Sequence, residues 1–506
     1  MKRNILSKKQ NDRNYPAPAP EEILGKVSEI VRLKNLNILI LFDGEKELEI
    51  VDFKDLCKNI TSDDFVKAIV VPEKNKESFK LIRIEKLNEN NSFIDKFSTK
   101  INDIAKPTNN NFIVKSDIYE KLRPLFNQAI EEIKKAVFER RPILIRHHFD
   151  CDGYSGAIAV EKAINSLALK INRNQQSIRT FLKRIPCTLP FYDLDEAVSD
   201  ISSFLEKPVE KEPLLILIDN GSTSEDLLGL RKLQIYDFKV IVIDHHVPAI
   251  KDNAFEVDSL AKVHINPYKV NGDSNITAGM LGCELANMIN PDIENLDCLA
   301  ALSGVADRSS SKEFEQYLSL AQSKNCDIIF LEKLSKVIDY LTSSIRKKES
   351  KTFIENLFDF NNKIQKRTVD LIYPELVEME RTRLNTIKKF LEVSEKNNTI
   401  IARFNFESMI KRGTYPPTGK STGLIIDELK KDHNKVAVIA YSDESMVVRT
   451  SGIEKDINEF ISEMKDKKPY TNIEGGGHKN AASIRFIKKV KEEVMNDLIE
   501  WLTQND

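Results

Sequence analysis

Between Gly25 and Ile84 apolar and polar positions alternate in five short runs: Val27–Val31, Asn37–Phe42, Leu48–Val51, Val66–Val71 and Phe79–Ile84. A period of two marks half-buried strands, and Asp43-Gly44 and Glu73–Lys76 supply turns between them. Five strands in so short a span predict a small β-barrel of the OB type over residues 22–90. Residues 1–21 end in Tyr15-Pro16-Ala17-Pro18-Ala19-Pro20, which favours extended geometry and reads as a flexible arm. Asn88–Asn111 is rich in Asn, Lys and Ser and reads as a linker (residues 91–115), after which Asp117 opens a helical pattern through Ile130, Ile133 and Val137.

From Pro142 to about Ser310 apolar runs alternate with helical stretches, the texture of a doubly wound parallel sheet, here residues 116–311. Leu334, Val337, Ile338, Leu341 and Ile345 recur at helical spacing, as do Leu384, Ile387, Phe390 and Leu391. Residues 312–396 therefore read as a helical bridge. Strand-like runs return at Thr399–Phe404, Lys435–Tyr441, Met446–Arg449 and Ala482–Phe486, around one helix near Gly423–Lys431 and a last one from Lys488. That predicts a smaller α/β domain over residues 397–506, and an α/β protein as a whole.

Composition narrows the class. The 506 residues are 41% hydrophobic and 30% charged, too apolar for disorder. Runs such as Leu214–Ile218 fall far short of the ~20 residues a bilayer needs. The six cysteines are isolated from one another, so neither a disulfide framework nor a zinc ribbon is indicated, and Met1–Asn14 has no apolar leader core. A cytoplasmic protein without a membrane partner is expected. With 76 basic against 78 acidic side chains, any nucleic-acid surface must be local. Arg346-Lys347-Lys348 and Lys488-Lys489 read as solvated helix faces.

Three apolar strands end in acids or histidines. Ile143–Arg146 leads into His147-His148-Phe149-Asp150-Cys151-Asp152-Gly153, Leu214–Ile218 into Asp219-Asn220-Gly221-Ser222, and Val240–Ile243 into Asp244-His245-His246. In an open parallel sheet these ends share one edge, where ligands bind. Carboxylates gathered there repel unless cations neutralise them, so a metal site follows more naturally than an acid/base pair. Asp and His donors without thiolate favour Mn²⁺ or Mg²⁺, and the number of carboxylates admits two ions, which would clamp a phosphoryl group and acidify a water. Asp307 is a further candidate ligand. Of seven histidines, five lie in such clusters; His264 and His433 read as structural. Only one of His147 and His148 can face the cleft from a strand, and the other supports it.

Glu474-Gly475-Gly476-Gly477-His478 forms a second constellation. Its glycines free backbone N–H groups to face an anion, and a helix starting just after would add its positive end, making a phosphate cradle. Arg449, at the end of a neighbouring strand, could reach the same phosphate. Gly419-Lys420-Ser421 looks like the end of a P-loop, but Gly413 is one position too far away, which argues against an NTPase.

Taken together, His148–Gly153, Asp219, Asp244-His245-His246, Asp307 and Gly475–His478 resemble the DHH/DHHA1 phosphoesterase superfamily, in particular its RecJ-like nuclease branch with an OB-like module. The resemblance covers about Pro142–Ser310 and Asn398–Phe486. It implies a DHH domain, a helical linker and a DHHA1 domain closing over two Mn²⁺ ions. His148, Asp150, Asp152, Asp219, His245 and Asp307 are then the ligands, with Asp219 bridging. Several family members place the first ligand histidine where this chain has Arg146. His246 would contact the scissile phosphate, with His147 and Asp244 supporting the ligands, and Gly475, Gly476, Gly477, His478 and Arg449 would clamp substrate. The implied activity is metal-dependent hydrolysis of single-stranded DNA or RNA to mononucleotides, in repair, replication or nucleic-acid turnover, with a replication or repair partner or a second copy as possible associates. A phosphodiesterase for short oligonucleotides or cyclic dinucleotides, and an inactive replication scaffold, are the alternatives.

Overall fold

A computed structural model describes residues 18–73, 78–171, 175–206, 211–345, 351–410 and 414–504. Most of the predicted arm, most of the Glu73–Lys76 turn and the Arg346–Lys348 run lie outside the described residues. The chain divides into two compact units.

The first unit is built on β1 (Glu21–Arg32), β2 (Asn37–Phe42), β3 (Glu47–Asp52), β4 (Phe65–Pro72) and β5 (Ser78–Lys86), closed into a barrel in the order β1-β2-β3-β5-β4. Closure follows from the predicted alternation. Val27, Leu39, Leu41, Ile50, Val66, Ala68, Val70 and Leu81 point inward to one core, and the intervening residues face out. The stretch read as a linker instead carries helix α1 (Ser92–Ala105), capped by the Asn91 side chain, which accepts from Phe93 N at 2.9 Å. Its apolar stripe is narrow, and Phe97 on that stripe packs edge-on against Phe42 and Phe65 at ring distances of 5.9 and 5.2 Å. Polar composition hid a helix that is apolar on one side only.

In the second unit, apart from residues 137–140 and 168–178, which belong to the first, α2 (Asp117–Phe138) leads to β6 (Ile143–His147), α3 (Cys151–Ile171), α4 (Gln175–Phe181), β7 (Leu182–Pro186), α5 (Leu194–Leu205), β8 (Leu214–Ile218), α6 (Leu227–Gln234) and β9 (Lys239–Ile243). The short β10 (Ile250–Lys251) and β11 (Ala254–Phe255) precede β12 (Val263–Ile265), then α7 (Ala278–Ile289) and α8 (Leu296–Ala306). The sheet is parallel throughout, in the order β12-β9-β8-β6-β7. Leu215, Leu217, Val240 and Val242 pack with Leu230 and Leu233 of α6 on one face, while Ile216, Ile218, Ile241 and Ile243 are buried on the other. Both faces are covered, as a continuous apolar run requires.

Glu284 of α7 fastens the approach to α2. Its carboxylate accepts from Ile113 N (2.7 Å), Val114 N (3.3 Å) and the Tyr317 hydroxyl (2.5 Å), which lies 3.1 Å from the Tyr119 hydroxyl. Burial lifts this carboxyl to about 7 against the pull of those donors. An unfolded glutamate releases its proton near 4.5, so folding takes up a proton between these values and the Glu284 contribution weakens as pH rises through the window. Glu284→Gln is expected to flatten that slope, worth up to about 3 kcal/mol, in urea midpoints of the full chain measured at pH 5 and pH 7.5. Parallel pH slopes in the two proteins would refute it.

Helices α9 (Lys312–Ser323), α10 (Ile328–Ile345), α11 (Lys351–Leu357) and α12 (Lys363–Lys388) follow. The stretch read as helical to 396 ends instead in β13 (Glu392–Lys396), whose five residues are all exposed and so give no apolar signal. Next come β14 (Thr399–Asn405), α13 (Phe406–Met409), α14 (Thr418–Leu429), β15 (Val436–Tyr441), β16 (Ser445–Ser451), α15 (Ile457–Lys467), β17 (Glu474–His478), β18 (Ala481–Arg485) and α16 (Lys491–Thr503). They form a six-stranded sheet, β13-β14-β15-β16-β18-β17, in which only β14 and β15 run parallel. Ile400, Ala402, Val436 and Val438 face α14, and Ile401, Ala437 and Ile439 face α15 and α16. Among the described residues no helix is long and apolar enough to cross a membrane, and all six cysteines are free and buried.

Candidate active site

Register places the chemistry. His147, Ile218 and Ile243 are in line across β6, β8 and β9, so the next residues, His148, Asp219 and Asp244, leave the sheet together at its carboxyl edge. β6 lies between β7 and β8, where the winding of the chain reverses and a crevice opens.

His148 Nδ1 lies 2.9 Å from Asp150 Oδ2 and 3.2 Å from Asp219 Oδ2. Asp150 also accepts from Gly153 N at 3.0 Å, and the adjacent His148 holds its carboxyl well below the usual range although burial opposes this. Asp152 is fully buried, its oxygens accepting from Ala278 N (3.1 Å), Gly279 N (2.8 Å) and the Ser303 hydroxyl. The N-terminus of α7 thus receives a carboxylate. Gly279 is needed there, because a Cβ would meet both Asp152 and Ser303. Even so, burial and the nearby Asp219 and Asp307 carboxylates push Asp152 well above its ordinary value, and burial raises Asp307 to about 7.

His245 explains this excess of negative charge. Its Nδ1–H donates to Ser274 O at 2.8 Å, which leaves Nε2 facing the carboxylates, to carry either a proton or a cation. Nε2 is buried with no hydrogen-bond partner, 3.3 Å from Asp219, 3.3 Å from Asp307 and 3.7 Å from Asp152. Burial alone would lower the pKa of this imidazole, but the carboxylates hold it well above 6.5. The pocket therefore demands positive charge. Among the described residues, two of the four donor groups able to hold a divalent ion share Asp219 without drawing on Asp244 or His246: His148, Asp150 and Asp219 form one, and Asp152, Asp219 and His245 the other. An orphaned imidazole nitrogen among carboxylates, with oxygen and nitrogen donors only, fits hard or borderline cations such as Mn²⁺ or Mg²⁺.

Asp244 accepts from the backbone N–H of His245 (2.8 Å), the backbone N–H of Ser222 (3.1 Å) and His246 Nδ1–H (2.8 Å). Ser222 is held in turn by His264 Nε2 (3.0 Å) and the Asn266 amide (3.1 Å), while His264 Nδ1 meets Asp258 at 2.8 Å. His264 is thus buried and doubly bonded, as a structural histidine should be; His433 is exposed. Sequence patterns gave no sign that Ser222, Asn266 and Ser303 would support the site, because these contacts join segments far apart in the chain. His147 is also buried, its Nδ1–H donating to His148 O at 2.6 Å. Arg146, where a ligand histidine was the alternative, is committed elsewhere: it forms a bidentate pair with Asp200 and meets Glu196 at 2.9 Å.

The glycine motif differs from its expected form. Gly475–Gly477 lie in β17, an edge strand paired with β18, and a hairpin rather than a helix follows. An edge strand instead leaves alternate backbone N–H groups unpaired. At its end the His478 ring stacks on His246 at 5.2 Å with 23° between planes, and lies 5.4 Å from His245. Burial and these two imidazoles lower His478 to about 3. Arg449 pairs with Ala481, and Ala481 with His478, so arginine and histidine occupy one row across three strands. Arg449 Nε donates to Gly419 O at 3.1 Å. Gly419-Lys420-Ser421 opens α14, and Lys420 is paired with Asp339 at 2.7 Å.

Residues 142–323 match the sequence profile of the DHH family, N-terminal domain. The uncharacterized protein MJ1198 of Methanocaldococcus jannaschii is 31% identical over 517 aligned positions, which span 94% of this chain and 68% of that one. The chain belongs to the DHH family. A solved structure described as a DHH-domain member of the s1p family of ribosomal proteins is 32% identical, with a TM-score of 0.77 over 81% of this chain and 98% of its own. RecJ of Thermus thermophilus, solved with Mn²⁺, shares the fold at 14% identity and a TM-score of 0.52, over 76% of this chain and 55% of RecJ. The DHH motif of this phosphoesterase is Asp244-His245-His246, and the carboxylates around it complete its candidate site.

Proposed function

We propose that this DHH protein is a metal-dependent exonuclease that hydrolyses single-stranded DNA or RNA to mononucleotides. The observation that carries the reading is the sharing of Asp219 by two donor groups, with His478 of the second sheet stacked on the neighbouring His246. The relation in fold to RecJ, solved with Mn²⁺, supports manganese as the ion. Two ions held by His148, Asp150, Asp152, Asp219, His245 and Asp307 would polarise the phosphoryl group and acidify the attacking water.

The remaining residues position substrate. Asp244 accepts from His246 Nδ1–H and, against the effect of burial, raises the pKa of the ring, which favours a proton on Nε2 that could meet a non-bridging phosphoryl oxygen. His478 stays neutral beside it and donates one N–H. Arg449, fixed through Nε, offers its terminal nitrogens to a phosphate, and the glycine edge of β17 lets the backbone come close to the strand.

The test is a time course in Mn²⁺ on a single DNA strand of about 20 nucleotides and its RNA counterpart, each labelled at either end, with a dinucleotide alongside. Stepwise release of mononucleotides from one end, abolished by EDTA, is expected. Cleavage of the dinucleotide alone would replace the reading with a short-oligonucleotide hydrolase, and silence on all substrates would replace it with a scaffold.

A further inference from the structure

We propose that Cys298 and Cys326 are a redox-active thiol pair, which closes to a reversible disulfide on meeting a low-molecular-weight disulfide. The proposal is independent of the nuclease reading and goes beyond it.

No spacing in the sequence signals the pair, because α9 lies between its members. Cys298 sits in the first turn of α8 and Cys326 just beyond the end of α9, and the packing of the two helices brings the thiols together. The Cys298 S–H donates to Cys326 Sγ. Neighbouring groups fasten both segments. Lys324 Nζ meets Asp297 Oδ1 at 2.7 Å, the same oxygen accepts from Cys298 N at 3.0 Å, and Cys326 N–H donates to Ala321 O at 3.0 Å. The cross-link would tie the end of α9 to the helix that carries Ser303, a support of Asp152, and that ends at Asp307.

Chemistry sets this pair apart from the other four cysteines. Burial raises the thiols of Cys57, Cys151, Cys187 and Cys283, which keeps them protonated and unreactive. Cys326 moves the other way: the Cys298 S–H and then the Lys324 ammonium lower its pKa, against burial and the Asp297 carboxylate. Cys298, as the donor, is raised. A cavity of about 380 Å³ lined by Asn295, Leu296, Asp297 and Lys324 opens beside them, and Cys326 is 7% exposed whereas Cys298 is wholly enclosed. Cys326 is therefore the attacking sulfur and Cys298 the resolving one. The Cys326 thiolate attacks one sulfur of the external disulfide, forms a mixed disulfide and expels the first thiolate. Cys298 gives up its proton and attacks Cys326 Sγ, expelling the second. Two protein thiols are oxidised, the external disulfide is reduced to two thiols, and the two cysteine protons end on them.

The experiment treats the folded, reduced full chain with hydroxyethyl disulfide, alkylates the remaining thiols in denaturant and maps the peptides by mass spectrometry. Loss of two of the six thiols is expected, with the Cys298 and Cys326 peptides joined and both thiols recovered on adding dithiothreitol. Single variants separate attack from resolution. Cys298→Ser should trap a hydroxyethyl adduct on Cys326, and Cys326→Ser should leave Cys298 unmodified. The unaltered protein carries the decisive reading, so a serine that disturbs the packing does not blur it. Six intact thiols after treatment, a bond joining any other two cysteines, or an adduct that forms on Cys298 in preference to Cys326 overturns the proposal.

Discussion

Asp219→Asn is expected to abolish hydrolysis while leaving the chain folded. The carboxylate lies within reach of His148 and His245 and belongs to both donor groups, so its loss disables both at once. Activity should fall by more than the ~10²–10³ that follows removal of a single donor to the developing charge. Asparagine is the informative replacement. Asp219 sits at φ +61, a left-handed conformation that asparagine adopts readily and alanine only at a cost of about 1–2 kcal/mol. Removing one of the crowded carboxylates also relieves repulsion, so the melting temperature without metal should hold or rise. Mn²⁺ titration by calorimetry should show the stoichiometry fall below two together with activity. Turnover within tenfold of the unaltered protein would end the two-ion reading.

The positions of His148, Asp219 and Asp244 were legible because they follow buried apolar runs, and parallel pairing brings the ends of such runs to one edge. The barrel was legible for a related reason: one buried face gives a clean period of two. Where burial is partial, the signal fades. α1 hides its phenylalanine stripe among lysines and asparagines, and β13 buries nothing at all. The fate of Arg146 depended on Asp200 and Glu196, carried by α5 and not by its own strand, and the serines that hold Asp152 and Asp244 come from elements remote in the chain. Sequence periodicity reports which face is buried. It does not report what a polar side chain meets there.

Among the three motif glycines, Gly475→Ala and Gly477→Ala should each lower turnover and Gly476→Ala should not, a separation that composition alone would never predict. Gly475 and Gly477 have φ of +147 and +150, and a Cβ on either would overlap a carbonyl oxygen of β18, Ser483 or Ala481. The hairpin would have to open. Gly477 is further constrained by the Asn458 amide, which donates to its carbonyl at 3.0 Å, and the next residue is the His478 that stacks on His246. A shift of ~1 Å in such a group is enough for a loss of about a hundredfold in kcat. At Gly476 the nearest atom to an added Cβ is Asn458 Oδ1 at 3.7 Å, an ordinary contact, so the strand keeps its register. A methyl there meets only an approaching phosphate, and its effect should fall on KM. The three variants, compared for kcat, KM and thermal midpoint, separate a strand held in place by its glycines from one that is merely flexible: equal losses at all three positions would favour flexibility and remove the positional role of His478.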